Sequence, residues 1–154
     1  MRFLPVAIDV RTRRCVVVGG GSVGARKAAT LVRAGADVVV VAPEVSKELA
    51  RKAASGALRW VDEEFTPGHV AGAFLVVMAT DDDALNAAGA GLAAEQGALV
   101  CDASSSRRSS LIFGALLEED GVTVAAFTDG RSPRRAKSKR DEIAAMLSAK
   151  GKAT

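Results

Sequence analysis

Cys15-Val16-Val17-Val18-Gly19-Gly20-Gly21-Ser22-Val23-Gly24 is the stretch on which the fold turns. Its first four residues are a continuous apolar run, the pattern of a strand buried on both faces. A helix-patterned segment, Ser22 to Ala34, follows the glycines, and a second apolar run, Asp37 to Val41, comes next. Strand, glycine turn, helix and strand within about 30 residues is the pattern of a βαβ unit that binds a dinucleotide. Each glycine then has a mechanical task. Gly19 permits the tight turn, Gly21 lets backbone approach a pyrophosphate, and Gly24 lets helix and strand pack closely. The helix start at Ser22 and Val23 presents free N–H groups and a partial positive charge to the phosphates.

Outward from this turn the alternation continues. Strands are expected at 14–18, 37–42, 57–61, 73–79, 97–101 and 121–126. Helices are expected at 22–34, 45–54, 82–96, 109–119 and 133–148. Strands alternating with helices predict an α/β fold of the Rossmann type, a doubly wound and mostly parallel sheet, with a short C-terminal helical segment. The expected division is a dinucleotide-binding domain over residues 1–130 and a basic helical segment over 131–154. Gly35 reads as the C′ residue of the first helix. Ser132-Pro133 reads as N-cap and first residue of the last helix. Residues 149–154 read as a frayed end.

The chain has 154 residues, enough to bury roughly 70% of its unfolded surface in one core. With 49% hydrophobic and 25% charged residues it has an ordinary globular composition. No apolar run approaches the roughly 20 residues of a membrane span. Met1 to Val10 contains Arg2, Pro5 and Asp9 and does not read as a signal peptide. The expected location is therefore cytoplasmic, which two cysteines in apolar strand patterns, Cys15 and Cys101, also suit. The net charge is +3, but Arg131, Arg134, Arg135, Lys137, Lys139 and Arg140 cluster without an acid between them. The run reads as a solvated helix face or a clamp for an acidic ligand. Nucleic acid is disfavoured, because no aromatic residue within the run offers a stacking surface.

In the expected fold, ligand lies outside the C-terminal ends of the strands, at the switch point. Four segments would meet there: Gly19–Gly24, Ala42–Glu44, Ala79–Asp83 and Asp102–Ser106. Glu44, just past Pro43 at the second strand's end, suits the ribose hydroxyls of NAD, or serves as a helix N-terminal acid. Thr80 and Asp81 follow the fourth strand, where the Thr80 hydroxyl suits a cofactor contact and Asp82 or Asp83 suits an N-cap. Asp102 ends the fifth strand. Partial burial there would raise its pKa toward a range useful for proton transfer, and helix capping or a turn is the other reading. His69, the only histidine, reads as a surface turn residue, and no His/Cys cluster has metal spacing.

Taken together, several segments resemble one family. Leu4-Pro5 through Asp9-Val10-Arg11, the glycine turn with Arg26-Lys27 behind it, Ala42-Pro43-Glu44, Thr80-Asp81-Asp82 with Leu85-Asn86, Ile112-Phe113 and Ser132-Pro133 occur in the order found in the precorrin-2 dehydrogenases. The same family forms the N-terminal part of sirohaem synthases. The resemblance implies NAD-dependent oxidation of precorrin-2 to sirohydrochlorin, a homodimer, and in some members ferrous iron insertion. It places the family's key aspartate on Asp102, as general base or as a group that orients the tetrapyrrole. The substrate would be a tetrapyrrole polycarboxylate, so Arg107, Arg108, Thr128, Ser132, Arg134 and Arg135 become candidates for holding its carboxylates. Two other readings stay open: a non-catalytic NAD- or tetrapyrrole-binding protein of the same pathway, and a sirohydrochlorin ferrochelatase. The chain also departs from the family pattern. Leu99 stands where an asparagine is usual, the loop 103–110 is longer and lacks a proline, Gly114 replaces a proline, and Thr128-Asp129-Gly130 replaces a turn richer in glycine and serine. Family members also continue for several tens of helical residues more.

Overall fold

Valine decides where the backbone runs. Its branched side chain loses rotamer freedom in a helix and packs well on a pleated sheet. In the computed structural model, which describes residues 1–151, five strands form one parallel sheet. They are β1 (Arg14–Val18), β2 (Asp37–Val41), β3 (Arg59–Val61), β4 (Leu75–Met78) and β5 (Leu99–Asp102), in the order β3-β2-β1-β4-β5. Val41 pairs with Val18, Val18 with Met78, and Met78 with Asp102. These four strands therefore end at one level, and the order reverses between β1 and β4.

Alternate residues face opposite sides, as the pleat requires. Val16, Val18, Val39, Val41, Val76, Met78 and Val100 pack with Ala90 and Ala93 of α3 (Asp83–Glu95). The residues between them, among them Cys15, Val17, Val38, Val40, Val77 and Cys101, are also buried. α1 (Ser22–Arg33), which buries Ala25, Ala28 and Leu31, packs on β1 and β2. α2 (Lys47–Ala54) packs on β3 and buries Leu49. α1 stops as expected. Gly35 has φ +80°, its N–H donates to the Val32 carbonyl, and the Ala36 N–H donates to Leu31, the paired bonds of a Schellman cap.

Packing divides the chain into two units, Pro5–Leu111 and a second formed by Met1–Leu4 with the chain from Ile112 onward. The second unit holds an element the sequence reading missed. The expected helix at 109–119 is instead a loop and a strand, β6 (Ala115–Glu119). The segment expected as a sixth parallel strand is β7 (Val122–Ala126), antiparallel to β6 and outside the main sheet. Asp120 and Gly121 join them with φ +50° and +76°, a two-residue turn with both φ positive. Such a turn matches the twist of a hairpin, and it outweighs the helical preference of the alanine, leucines and glutamates before it. α4 (Pro133–Gly151) packs on this hairpin, and residues 152–154 of the expected frayed end lie outside the described residues. Ser132 caps α4 as expected, its Oγ accepting from the Arg135 N–H at 3.2 Å. Gly114 lies against the Phe127 ring, which would stand 2.9 Å from a Cβ.

Gly24 tests the main unit. A Cβ there would collide with the Gly19 carbonyl and also meet the Val17 side chain. Gly24→Ala is expected to lose about 1–3 kcal/mol in urea unfolding, the usual cost of overpacking. An unchanged midpoint would refute the backbone packing described.

Candidate active site

The glycine turn sits where the strand order reverses, and its four glycines differ in what surrounds them. Gly19 has φ +114°, and a Cβ on it would strike the Ala79 carbonyl at the exit of β4. Gly20 lies against the Glu44 carbonyl at the exit of β2, and its own carbonyl accepts from the Ser46 N–H at 2.9 Å. Sequence reading gave Gly20 no role, because its constraint comes from a neighbour 24 residues away. Gly21 is the exception, exposed and with nothing within 4 Å of a Cβ. It is the N-cap of α1, no side chain caps that end, and the first turn holds no acid. Ser22 and Val23 are exposed beside it. This is a cradle open to an anion, and a dinucleotide pyrophosphate fits its chemistry.

At the exit of β2, Pro43 and Glu44 are exposed. Ser46 caps α2, accepting from Leu49, and the first-turn acid is Glu48. Glu44 therefore stands outside the helix, and the reading of it as a helix N-terminal acid falls away. The Trp60 indole N–H donates to the Ala42 carbonyl at 2.8 Å and so steadies this exit.

At the exit of β4 the decisive residue is Asn86, quoted above only as part of a motif. It is 1% exposed, in the first turns of α3. Its Oδ1 accepts from the Thr80 N–H at 3.1 Å and from the Thr80 hydroxyl at 2.8 Å. Its Nδ2 donates to the Thr80 carbonyl at 2.9 Å and to Ser104 Oγ at 3.3 Å. One amide thus fixes both the β4 and the β5 exits. The Thr80 hydroxyl expected to face a cofactor is engaged with Asn86. Asp81 is exposed, and Asp82 is the N-cap, its Oδ1 accepting from Ala84 and Leu85. No local signal in the sequence marks this role, because the burial of Asn86 is set by tertiary packing.

Asp102 ends β5 with its side chain 0% exposed. Its Oδ2 accepts from Arg108 Nε. Its Oδ1 accepts from the Ser104 N–H at 2.9 Å, the Ser104 hydroxyl at 2.6 Å and the Ser105 N–H at 3.2 Å. Burial pushes the carboxyl pKa up, but the Arg108 and Ser104 hydrogen bonds outweigh it and hold it below the usual carboxylate range. The expected upward shift is therefore corrected to a downward one. Arg108 also grips Asp83, whose carboxyl that contact and the Ser104 hydroxyl hold low as well. The long serine-rich loop has a further use. Ser109 Oγ accepts from the Asp102 N–H and Ser110 Oγ from the Val100 N–H, each at 2.9 Å, so serines pair the open edge of β5.

Arg107 is exposed on the same loop. In the other unit, Thr128 and Ser132 close a turn on each other, the Thr128 hydroxyl donating to the Ser132 carbonyl at 2.9 Å. Arg134 and Arg135 are exposed on α4, whereas Arg140 donates to the Leu116 carbonyl and ties the helix to its hairpin. His69 lies in a turn as expected, but its ring is largely covered, Nδ1 accepting from the Thr66 N–H at 2.9 Å. Both cysteines are buried and free of disulfides, and burial pushes the Cys15 thiol up to about 11. Among the described residues no three histidines, cysteines or carboxylates form a metal-holding group, and no helix is long and apolar enough to cross a membrane.

A five-stranded parallel sheet in this order, with an open glycine turn at its reversal, defines a Rossmann-type dinucleotide-binding domain. Residues 6–115 match the family described as "Putative NAD(P)-binding", and the chain belongs to that family. It is 38% identical over 147 residues to "Siroheme synthase" of Photorhabdus laumondii, a match covering 96% of this chain and 31% of that protein. With "Siroheme synthase 1" of Pectobacterium atrosepticum the identity is 36% over 149 residues, 97% of this chain and 31% of the relative. The chain thus spans about a third of the length of these relatives. Among solved structures it is similar to "SirC, precorrin-2 dehydrogenase", with a TM-score of 0.81 and 29% identity over 93% of this chain and 70% of that one.

Two substitutions test the site. Gly21→Ala should lower the unfolding midpoint only slightly, by the poorer N-cap, but weaken NAD binding about tenfold or more in a calorimetric titration, the worth of one hydrogen bond to a charged group. Asn86→Leu strands the Thr80 amide and should destabilise the fold by about 1–3 kcal/mol. Equal stability with wild type would mean the two exits are held by something else.

Proposed function

We propose that this chain oxidises precorrin-2 to sirohydrochlorin, with NAD as the hydride acceptor, as a step of sirohaem biosynthesis. The observation that carries the reading is the likeness to a precorrin-2 dehydrogenase over 93% of the chain, at 29% identity. The open turn at Gly21 supports it, since a cofactor needs that space. When bound, NAD supplies the acceptor for the hydride. Gly19, Gly21, Ser22, Val23 and Gly24 would hold its pyrophosphate, and Pro43 and Glu44 would lie toward its ribose, where a carboxylate favours the free 2′-hydroxyl of NAD. Thr80 and Asp81 follow β4 at the same exit, and Asn86 holds Thr80 there by its backbone and its hydroxyl.

The substrate is a tetrapyrrole bearing several carboxylates. Arg107 on the loop after β5 and, in the other unit, Arg134 and Arg135 on α4 carry planar guanidiniums of the kind that suits carboxylates, and Thr128 and Ser132 set the turn from which α4 starts. Asp102 is the carboxylate that serves the reaction. The reading includes a cytoplasmic enzyme working as a homodimer. Met146 and Leu147 on α4, 65% and 42% exposed, support a pairing face, and light scattering checks it.

Mixing the protein with precorrin-2 and NAD should yield NADH and sirohydrochlorin. Asp102→Asn should lower kcat about 10²–10³-fold, the cost of removing one preorganised electrostatic group, with NAD affinity retained. No NADH from a folded wild-type protein that binds NAD would sink the reading. Iron insertion into sirohydrochlorin without NAD would favour the ferrochelatase alternative.

A further inference from the structure

By sequence, Arg108 belongs with the guanidiniums that meet substrate carboxylates. In the structure it is turned onto the protein's own carboxylates. Nε donates to Asp102 Oδ2, Nη2 donates to Asp83 Oδ1 and, at 3.1 Å, to Ser104 Oγ, and Nη1 reaches Asp83 Oδ2 at 3.3 Å. We propose that Arg108 is a positioning residue that holds Asp102 as a fixed and covered anion, so that Asp102 serves the reaction by its charge and not by taking up a proton. The inference rests on the dehydrogenation proposed above.

Geometry is the first argument. A general base needs a lone pair directed at the proton it removes. Both Asp102 oxygens are already engaged, Oδ2 by Arg108 and Oδ1 by Ser104 and Ser105. The carboxylate is 0% exposed, while the Arg108 side chain above it is 31% exposed. Charge is the second. Of the elements that meet Asp102, α3 brings the Asp83 carboxylate, the 106–108 turn brings Arg108, and the β4 neighbour is Met78. Two carboxylates and one guanidinium leave the cluster with one net negative charge. Asp83 offsets Arg108, and the cluster remains an anion. Protonating Asp102 would cost its charge-assisted bond to Arg108.

The reaction has a use for a fixed anion. Precorrin-2 and NAD⁺ give sirohydrochlorin, NADH and one proton. A C–H bond of the macrocycle breaks, and its electron pair leaves with the hydrogen to the nicotinamide. The macrocycle is left positively charged and then gives up a proton to water. A preorganised negative charge that does not titrate stabilises that cation without any reorganisation.

The test uses the full chain labelled with ¹³C at the aspartate carboxyls, with the Asp102 resonance assigned by its loss in Asp102→Asn. In wild type the Asp102 signal should stay ionised to below the ordinary aspartate value. In Arg108→Gln its titration should move upward, since burial then acts with less opposition. Arg108→Lys keeps the charge but presents one ammonium where the fork engaged two carboxylates, so it should fall between. It also decides the matter if the glutamine variant does not fold. In turnover, the acid limb of kcat/KM for NADH formation should move up in Arg108→Gln in step with the carboxyl signal. A purely structural arginine would leave that limb in place. An Asp102 that titrates near neutral pH in wild type, or titrates alike in all three proteins, overturns the proposal. If wild type oxidises no precorrin-2, the proposed function fails, and the carboxyl titration still decides the role of Arg108.

Discussion

At the end of β1, backbone packs directly on backbone. The carbonyls of Ala79, Glu44 and Gly19 occupy the places where side chains on Gly19, Gly20 and Gly24 would stand. Overlap of that kind cannot be relieved by a rotamer change, because none of the atoms belongs to a side chain. The exits of β1, β2 and β4 are thereby drawn together, and α1 starts with its first N–H groups open to solvent. The sheet supplies the stiffness behind this. Val18, Val41 and Met78 are all buried and in register, so the three exits leave the sheet side by side.

What the sequence disclosed follows from which interactions are local. The first βαβ unit was legible because its strands are continuous valine runs and its helix has an apolar stripe and a glycine stop. β6 was not, since Ala115-Leu116-Leu117-Glu118-Glu119 has the composition of a helix. The correcting signal was the neighbouring Asp120-Gly121 pair, which selects a hairpin through positive φ at both residues. The tight turn at Gly19 and the close packing at Gly24 are present as read and Gly21 stands in open space, whereas Gly20 depends on a carbonyl from another loop. Asp102 could be located but its state could not. Its pKa direction is set by Arg108 and Ser104, and whether those side chains turn inward is a tertiary fact. Asn86 illustrates the same limit, since a lone asparagine in an alanine-rich helix carries no local sign that it ties two loops together.

The hydrogen bonds around Asn86 and Asp102 form one connected set. Thr80, Asn86, Ser104, Asp102, Arg108 and Asp83 each share at least one bond with another member. Buried polar groups are costly when any partner is missing, so such a set tends to be complete or absent. Asn86 shows completion, because both of its carbonyl bonds and both of its amide bonds are made within the protein. Ser104 accepts from Asn86 and Arg108 and donates its single hydroxyl proton to a carboxylate. Loop 103–110 takes part in this arrangement through Ser104 and Ser105, which bond to Asp102.

Those serines also act at the margin of the sheet. β5 has β4 on one side only, and a strand so placed normally offers its open N–H and carbonyl groups to any extended chain that drifts past. Here the Val100 and Asp102 N–H groups go to serine hydroxyls, and the Val100 carbonyl receives the N–H groups of Ser110 and Leu111. The margin is closed by the chain's own next residues. An incoming extended chain therefore finds the Val100 and Asp102 positions of this border already paired.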